Sequence, residues 1–350
     1  MFKKLTFLIF IFFCNYSYSQ VNVLFIGNSY THYSNMPKIF EKIAESKGKL
    51  VFADSIAVSG STLKEHANRV STYKKMKSRN WNYVIIQGFS RELAQDSIVI
   101  ATETVPYVQQ LIDSIKKTSP CSNIYFYVTW GYKNGYAAEE ANNTNQKMQE
   151  RVRQGYFQLH EKFGIPLVPV GLVWSELMAA HPEINLYLED DQHPNINGSF
   201  TIAATFFTAL FKESLENCFI PEKADKTWSE KIIKTTEQFV LRNYSSYFLD
   251  LVQEPNLVIY PKLEFSIKEN WTNISIINYS VFCDSFIWDF GDGTTSIISN
   301  PKHYYKNPGI YTVTLTGKKD CYEFTLKKQI KVSKTEKYAT SNPKKLKTKS

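Results

Sequence analysis

From residue 21 to about residue 215, the chain alternates short apolar runs with longer amphipathic stretches. The apolar runs are 22–27, 50–58, 83–87, 123–129 and 166–170. Stretches with the spacing of amphipathic helices lie between and after them, at 36–47, 100–118, 138–163 and 196–213. Continuous apolar strands separated by helices are typical of a parallel sheet covered on both faces. The pattern therefore predicts a three-layer α/β domain with five parallel strands.

The pattern changes after about residue 258. Short alternating runs such as 273–276 and 310–315 are β in character. Turn-forming clusters at 291–293 and 307–309 separate them. This region is predicted to be a small all-β sandwich. Before it, residues 226–240 favour a helix that extends the first domain, and a linker is expected near 253–255.

The N-terminus has the pattern of a cleaved secretory signal, predicted at 1–19. Two lysines precede the apolar stretch 5–13, and small residues follow at 17–19. That stretch is shorter than the roughly 20 residues that span a bilayer, and no later segment is long and apolar enough to be a transmembrane helix. A secreted, periplasmic or cell-surface protein is predicted. A lipoprotein anchored at Cys14 is the less favoured alternative, because Phe13 is bulkier than lipid-attachment signals require.

Composition narrows the class of protein. The 350 residues have room for one large and one small domain. Hydrophobic residues make up 43% and charged residues 21%, as in globular chains. The net charge of +8 is moderate, and its densest lysines lie in 344–349. Residues 334–350 are therefore predicted to be a basic disordered tail, and no nucleic-acid partner is expected.

Four cysteines remain once the signal is removed, and an even number in an exported chain permits disulfides. Cys283 and Cys321 are the expected pair because both lie in the small C-terminal region. Cys121 and Cys218 either pair or stay as buried free thiols. The chain has no Cys-x-x-Cys and no His-x-x-x-His spacing, which argues against a structural zinc site.

Two distant segments carry the parts of an activated hydroxyl nucleophile. The first strand ends at Gly27-Asn28-Ser29, and Asp190 stands three residues before His193. The carboxyl ends of parallel strands meet at one edge of a sheet. Ser29 is expected at that edge, and the three-residue spacing lets a loop hold Asp190 against one ring nitrogen of His193 while the other nitrogen faces Ser29.

Two alternatives stay open for the downstream segment. Asn195 could simply cap the next helix, with His193 solvated on an acidic loop. Asp190 and Asp191 could instead hold a cation. The predicted site nevertheless contains no metal, and no cofactor is expected.

These residues resemble the motif blocks of the SGNH, or GDSL-type, hydrolase superfamily over about residues 20–215. The resemblance implies a flavodoxin-like fold, a nucleophile at Ser29, an acid at Asp190 and a base at His193. Gly60, in the block Ser59-Gly60-Ser61-Thr62-Leu63, would donate its backbone N–H to the oxyanion together with that of Ser29.

The third block departs from the usual Gly-x-Asn-Asp of the superfamily. The chain reads Gln87-Gly88-Phe89-Ser90 there, which resembles the Gln-Gly-Glu-Ser variant of some sialic-acid and xylan acetylesterases. Gln87 or Ser90 would take the place of the oxyanion-binding asparagine, and Gln87 is expected to matter more because its amide reaches further.

Three further residues beside the motifs are candidates for the substrate pocket, namely His32, His66 and Trp130. The two histidines could equally be partly exposed surface residues. Trp130 could stack on a sugar, but core or pocket wall is its more ordinary place.

The C-terminal region resembles a PKD (polycystic kidney disease-type) domain over about 260–333. The resemblance rests on Trp288-Asp289-Phe290-Gly291-Asp292-Gly293, His303-Tyr304-Tyr305, Pro308-Gly309 and the run 311–315. It implies an extracellular spacer, or a module that contacts proteins or glycans. Asp289 and Asp292 are expected to stabilise a turn rather than hold a cation.

Together these features predict a secreted serine esterase in two domains, an SGNH hydrolase-like domain at 20–255 with its helical extension and a PKD domain at 260–333. The expected substrate is an O-acetyl or other short acyl ester on a glycan, an analogy drawn from the resemblance. Lipid or aryl esters remain open as substrates. The rival from another class is a catalytically inactive glycan-binding or adhesive surface protein, which the missing asparagine of the third block favours.

Overall fold

A computed structural model describes residues 20–251, 262–319 and 322–333. The predicted signal with Cys14, the predicted linker, Cys321 and the basic tail lie outside the described residues. The chain divides into two compact units after Val258. In the part of the chain that is described, no helix is long and apolar enough to span a membrane.

The N-terminal unit is built on five parallel strands in the order β2-β1-β3-β4-β5. Their bounds are Val21–Gly27 (β1), Val51–Ala57 (β2), Tyr83–Ile86 (β3), Asn123–Tyr127 (β4) and Leu167–Val168 (β5). The last strand is shorter than the predicted 166–170 because Pro166 and Pro169 flank it, and proline cannot donate to the ladder. The order places β1 between β2 and β3, so three strand ends carrying predicted site residues are neighbours.

Ten helices of the described residues connect and cover these strands. Their bounds are Ser29–His32 (α1), Met36–Ser46 (α2), Leu63–Ala67 (α3), Val70–Lys77 (α4), Ser97–Val99 (α5), Val105–Thr118 (α6), Asn145–Phe163 (α7), Val170–Ala180 (α8), Ile196–Phe211 (α9) and Lys226–Arg242 (α10). Short 3-10 turns lie at Tyr33–Asn35, Glu140–Asn142, Ser245–Tyr247 and Leu249–Leu251, and a π-helical segment at Ile100–Thr104 joins α5 to α6.

The sheet is buried on both faces, which explains its continuous apolar strands. All residues from Val23 to Gly27 and all of β3 are buried. Phe25 packs its ring edge-on against Phe40 of α2 and Phe206 of α9. Helices α3 and α4 instead pack against α6. The predicted three-layer, flavodoxin-like α/β architecture is confirmed.

Helix α9 is buried along almost its whole length, rather than on one face as its sequence pattern suggested. Every residue after Ile196 is buried, because α2 and α8 pack on this helix and α10 covers it further. The predicted extension at 226–240 is therefore part of the core of the first unit. Helices α3, α4 and α8 were not predicted; α8 in particular is too uniformly apolar to show an amphipathic period.

The C-terminal unit is a sandwich of two antiparallel sheets, as predicted. One has the order β10-β7-β6 and the other β12-β11-β8-β9. The strands are Phe265–Asn270 (β6), Asn273–Asn278 (β7), Ser285–Asp289 (β8), Thr295–Ser296 (β9), Lys302–Tyr304 (β10), Gly309–Lys319 (β11) and Tyr322–Val332 (β12). Trp288 is fully buried between the sheets and meets Phe265 edge-on at 5.1 Å.

The turn after β8 uses its two aspartates as local hydrogen-bond acceptors, the role expected for them. Asp289 accepts from the N–H of Gly291 at 2.8 Å, and Asp292 accepts from the N–H of Thr294 at 3.1 Å. The other oxygen of Asp292 lies 2.8 Å from His303. Gly291 and Gly293 both have positive φ, which glycine adopts without strain.

The expected disulfides are not formed. Cys218 and Cys283 are both free thiols, so neither Cys283–Cys321 nor Cys121–Cys218 exists in the structure. The alternative of a free thiol holds for Cys218 but is wrong for Cys121, which is disulfide-bonded. Cys218 is buried, and burial raises the pKa of its thiol to about 11. A thiol in this environment stays protonated and unreactive at neutral pH.

Candidate active site

The turn after β1 presents Ser29 at the carboxyl edge of the sheet. The strand ends at Gly27, and Asn28 caps α1 by accepting a hydrogen bond from the N–H of Tyr30 at 3.1 Å. Ser29 is the first residue of this short helix, so its own N–H has no acceptor within the helix. Only 6% of Ser29 is exposed.

The structure brings the three predicted triad residues into one hydrogen-bonded chain. Ser29 Oγ lies 2.9 Å from Nε2 of His193, and Nδ1 of the same ring lies 2.5 Å from Oδ2 of Asp190. The other carboxylate oxygen of Asp190 accepts from the backbone N–H groups of His193 and Gln192 at 2.9 and 3.0 Å. These bonds orient the imidazole so that its second nitrogen faces the serine hydroxyl.

Asp190 remains ionised in this arrangement, and Asp191 is turned elsewhere. Partial burial pushes the pKa of Asp190 up, but the hydrogen bonds from the N–H and ring of His193 and from Gln192 outweigh it and hold the pKa below its ordinary value. The side chain of Asp191 meets Nζ of Lys133 at 3.4 Å and Nδ2 of Asn134 at 2.9 Å.

Aromatic rings fix the position of the imidazole. Tyr33 stacks on the ring of His193 at 4.6 Å, and Tyr30 meets it edge-on at 5.6 Å. Behind them Trp130 is fully buried between Tyr30 and Trp174, and its Nε1–H donates to the carbonyl of Gln192 at 2.9 Å. The expectation that Trp130 lines the substrate pocket is wrong, because the aromatic column buries both of its faces; it supports the His193 loop instead.

Gln87 does not face the cavity, which corrects its expected place as the main oxyanion donor. Its side chain is buried and makes four hydrogen bonds of 2.7 to 2.9 Å. Oε1 accepts from the N–H of Asn28 and the hydroxyl of Thr31, while Nε2 donates to Oδ1 of Asn28 and the carbonyl of Gly88. Both amide protons are engaged, so Gln87 has no donor left for a substrate. Its hydrogen bonds position the turn that carries Ser29.

Gly27 is required by the same contacts. A Cβ at this position would lie 2.4 Å from Oε1 of Gln87 and 2.6 Å from Oγ1 of Thr31. Only a glycine therefore lets the amide of Gln87 approach the turn. This close approach explains the glycine of the Gly-Asn-Ser sequence at the end of β1.

His66 is a buried structural residue, not a pocket residue as expected. It is fully buried, with Nε2 at 2.7 Å from the carbonyl of Gly27 and Nδ1 at 3.1 Å from the hydroxyl of Thr72. The carbonyl can only accept, so Nε2 carries the proton and Nδ1 accepts from Thr72. Burial lowers the pKa of His66 more than the bond to Gly27 raises it, and the nearby Arg69 lowers it further.

A cavity of about 420 Å³ opens over the serine. It is lined by Asn28, Ser29, Tyr30, Tyr33, Ser59, Gly60, Phe89, Ser90, Arg91, Tyr132, Gln192 and His193. Two of the predicted oxyanion donors besides Ser29 therefore reach it, Gly60 with its positive φ and Ser90 with its buried hydroxyl. His32 does not line the cavity but is an exposed residue, the alternative left open for it, which bonds Ser59 at 2.9 Å and stacks on Tyr33.

Sequence reasoning missed the aromatic and cationic part of this lining, namely Tyr33, Phe89, Arg91 and Tyr132. Phe89 and Arg91 flank Ser90 in the third block, so adjacency to a recognised motif was the available signal. Tyr132 follows β4, whose carboxyl end lies at the same edge.

Glu92 ties together the two loops that carry Gly60 and Ser90. Its carboxylate accepts from the N–H of Leu63 at 3.1 Å and from the N–H of Phe89 at 3.1 Å. Burial raises the pKa of Glu92 to about 7 despite these bonds. In the described residues, no group of three or more His, Cys, Asp or Glu side chains could hold a metal ion.

The N-terminal unit is similar to several solved structures. A DUF4886 family protein from Bacteroides uniformis is 17% identical, covers 68% of this chain and 98% of its own, and has a TM-score of 0.56. A candidate SGNH hydrolase from Slackia heliotrinireducens is 23% identical over 54% of this chain and 97% of its own, with a TM-score of 0.42. An acetyl xylan esterase from Geobacillus stearothermophilus is 16% identical over 53% and 93%, with a TM-score of 0.41. The likeness to the Bacteroides uniformis protein shows that the unit shares its fold.

Residues 282–332 match the family model of the PKD domain, so the C-terminal sandwich belongs to that family. A segment of 34 residues, 10% of this chain, is 59% identical to collagenase ColA from Bacillus cereus. This match spans 4% of the collagenase, and it carries none of that enzyme's activity to this chain.

The burial of neutral His66 predicts an acid-sensitive stability. Its folded pKa lies below the unfolded value of about 6.5, so the unfolded chain binds more protons as pH falls through that value. The contribution is present above about pH 6.5 and is lost below it, toward the folded pKa. We expect the melting temperature to fall more steeply between about pH 8 and pH 5 in the wild type than in His66→Gln, measured by calorimetry.

Glu92 makes the comparison with the variant necessary. Its folded pKa of about 7 lies above its unfolded value of about 4.3, so its protonation favours the folded state as pH falls and opposes the effect of His66. The difference in slope between wild type and His66→Gln isolates the histidine. Parallel curves would contradict the assignment of a neutral buried imidazole.

Proposed function

We propose that this protein is a serine esterase that hydrolyses O-acetyl or other short acyl esters on glycans. The observation that carries the proposal is the continuous chain of hydrogen bonds from Ser29 through His193 to Asp190. A serine hydroxyl is a weak nucleophile unless a base lies within hydrogen-bond reach and is itself oriented by a third group. The SGNH-type fold of the unit agrees with this chemistry.

In the proposed reaction, Oγ of Ser29 attacks the ester carbonyl while Nε2 of His193 takes its proton. Asp190 stabilises the imidazolium that forms and keeps the ring in the right tautomer. The tetrahedral intermediate collapses when His193 returns the proton to the leaving alcohol, which leaves an acyl group on Ser29. Water then attacks the acyl-enzyme with His193 as base, releasing the carboxylic acid and regenerating the serine. No cofactor takes part.

The oxyanion is proposed to be bound by the N–H groups of Ser29 and Gly60, with the hydroxyl of Ser90 in place of the superfamily asparagine. All three residues line the cavity. Oγ of Ser90 lies 3.5 Å from the hydroxyl of Tyr132, a long contact that leaves it able to turn toward the substrate.

Short acyl groups are favoured by the size of the cavity. Its volume of about 420 Å³ is near the lower end of the range for ligand sites. The rings of Tyr33, Phe89 and Tyr132 provide an apolar wall for the rest of the substrate.

We infer export from the leader at 1–19. We assign the PKD domain the role of a spacer, or of a module that contacts glycans or proteins.

The first test replaces the nucleophile. Ser29→Ala is expected to lower kcat for nitrophenyl acetate by roughly 10⁴-fold or more, because triad residues act as a unit. Unchanged circular dichroism and melting temperature serve as the control for folding. If the wild-type protein hydrolyses neither nitrophenyl esters nor acetylated xylan, the esterase proposal fails and the alternative of an inactive glycan-binding protein is favoured. If Ser29→Ala keeps more than about a hundredth of the wild-type rate, the nucleophile is misassigned.

The second test separates the two neighbouring carboxylates. Asp190→Asn is expected to lower kcat by roughly 10³- to 10⁴-fold because the amide no longer orients the His193 tautomer. Asp191→Asn is the matched control and should stay within about threefold of wild type, since its side chain meets Lys133 and Asn134. Equal losses would show that the loop acts in another register.

The third test distinguishes a donor to the oxyanion from a positioning residue. Ser90→Ala is expected to lower kcat at least about tenfold without changing the melting temperature, because it removes one donor from the transition state. Gln87→Ala leaves buried groups of Asn28 unpaired, which costs about 1–3 kcal/mol, so it should lower both kcat and the melting temperature. A silent Ser90→Ala would leave only the backbone N–H groups as donors.

A further inference from the structure

One permanently charged side chain, which is positive, lines the cavity over Ser29. Its lining includes no aspartate or glutamate, and Arg91 is the lining residue that carries a permanent positive charge. His193, the other lining group that can become positive, already has Asp190 as its partner. The charge of Arg91 is thus the charge that a substrate in this cavity would meet.

Arg91 is held by aromatic rings rather than by a carboxylate. Its guanidinium lies 4.5 Å from the centre of the Tyr136 ring and 5.2 Å from that of Phe89. Contacts of this kind orient a guanidinium without neutralising its charge. The planar group is therefore held in place with its donors still available.

The donors of Arg91 are unused among the described residues. Its Nε is buried and has no hydrogen-bond partner, and Arg91 takes part in no ion pair there. The other arginines each donate to a protein oxygen, as seen for Arg69, Arg79, Arg151, Arg153 and Arg242. An arginine left without an acceptor beside a reactive serine is unexplained by packing alone, since a buried donor normally finds a partner.

The carboxylates around the site cannot supply that partner. Glu92, next in sequence, accepts from the N–H groups of Leu63 and Phe89. Asp190 accepts from the ring and N–H of His193, and Asp191 meets Lys133 and Asn134. Among the described residues these carboxylates are engaged elsewhere, so the guanidinium of Arg91 is open to an acceptor carried by a substrate.

We propose that Arg91 binds the carboxylate of an acidic sugar, so that the substrate is an acyl ester carried by a uronic-acid type of glycan. The planar fork of a guanidinium matches a carboxylate with two parallel hydrogen bonds, and such charge-assisted bonds are among the stronger ones in proteins. This inference rests on the proposed esterase function and adds the class of sugar to it. Arg91 is a specificity residue and takes no part in the bond-breaking steps.

The experiment compares kcat/KM on acetylated polygalacturonate, acetylated xylan and nitrophenyl acetate. The wild type should favour the acidic polymer over the neutral one. Arg91→Gln should lose at least about tenfold on the acidic polymer, mainly through KM, because a charge-assisted hydrogen bond is lost. The loss on acetylated xylan and on nitrophenyl acetate should be several-fold smaller, so that the ratio of acidic to neutral activity falls. Arg91→Lys should fall between the two because it keeps the charge without the fork.

Arg79→Gln is the matched control. Arg79 also lies over an aromatic ring, at 4.2 Å from the centre of Phe52, but it does not line the cavity. The substitution removes the same charge, so it should leave the ratio of acidic to neutral activity unchanged. Added salt should reduce the wild-type preference more than that of Arg91→Gln, because screening weakens only the charged contact.

Several results would overturn the inference. A wild type without preference for the acidic polymer would overturn it. An equal loss on all substrates by Arg91→Gln would also overturn it, because that result marks Arg91 as a purely structural residue. A fourth substrate, the nitrophenyl monoester of adipic acid, carries its carboxylate in the acyl group. If Arg91→Gln loses rate only on this ester, the acidic sugar is refuted. Failure of the wild type on nitrophenyl acetate, by contrast, refutes the esterase itself. In that case the anion site is tested without turnover. Galacturonate oligomers should bind to Ser29→Ala, and adding Arg91→Gln should weaken that binding.

Discussion

The buried hydrogen bonds between Gln87 and the turn after β1 hold the rest of the candidate site in place. One amide side chain from the end of β3 binds the backbone and side chain of Asn28 and the hydroxyl of Thr31. Because polar groups in a core are costly unless paired, this arrangement tolerates few alternatives. Gly27 is needed for the amide to approach, and His66 holds the carbonyl of Gly27 from the other direction. Gln87, Thr31 and His66, which fix the turn that carries the serine, do not themselves line the cavity.

The proposed base, His193, and the proposed acid, Asp190, lie on a different element and are fixed by a different means. The loop before α9 folds around Asp190, whose carboxylate accepts two backbone N–H groups as well as the imidazole. Tyr33 and Tyr30 hold the ring of His193, and Trp130 anchors the carbonyl of Gln192. A rigid strand end and a tightly hydrogen-bonded loop together hold the hydroxyl of Ser29 within 2.9 Å of the imidazole of His193, the geometry on which the proposed acyl transfer depends. The neutral Gln87 and Asn28 keep this geometry without adding charge beside the imidazole.

The two units differ in how they use polar groups. In the N-terminal unit buried amides and hydroxyls gather at the carboxyl edge of the sheet, and one arginine is left unpaired at the cavity. In the PKD domain the polar residues of the recognised motif bond one another locally, as Asp289 and Asp292 do in the turn after β8. The same residue type therefore stabilises a turn in one unit and orients a candidate catalytic base in the other, which is why function must be argued from the site.

The sequence by itself determined the five strands, the long helices, the PKD sandwich and the nearness of Ser29 to Asp190 and His193. The strands and long helices follow from local periodicity, and the meeting of Ser29 and Gly60 follows from the rule that parallel strands end at one edge. The place of Asp190 and His193 beside Ser29 and the identity of the PKD domain come from the resemblance of their motifs to known families. Only the tertiary structure decided that Gln87, His66 and Trp130 are supports, that Cys218 and Cys283 stay free, and that Arg91 faces the cavity without a partner. Each of these depends on which atoms lie within about 3 Å across distant segments, and such distances are set by packing in three dimensions, not by spacing along the chain.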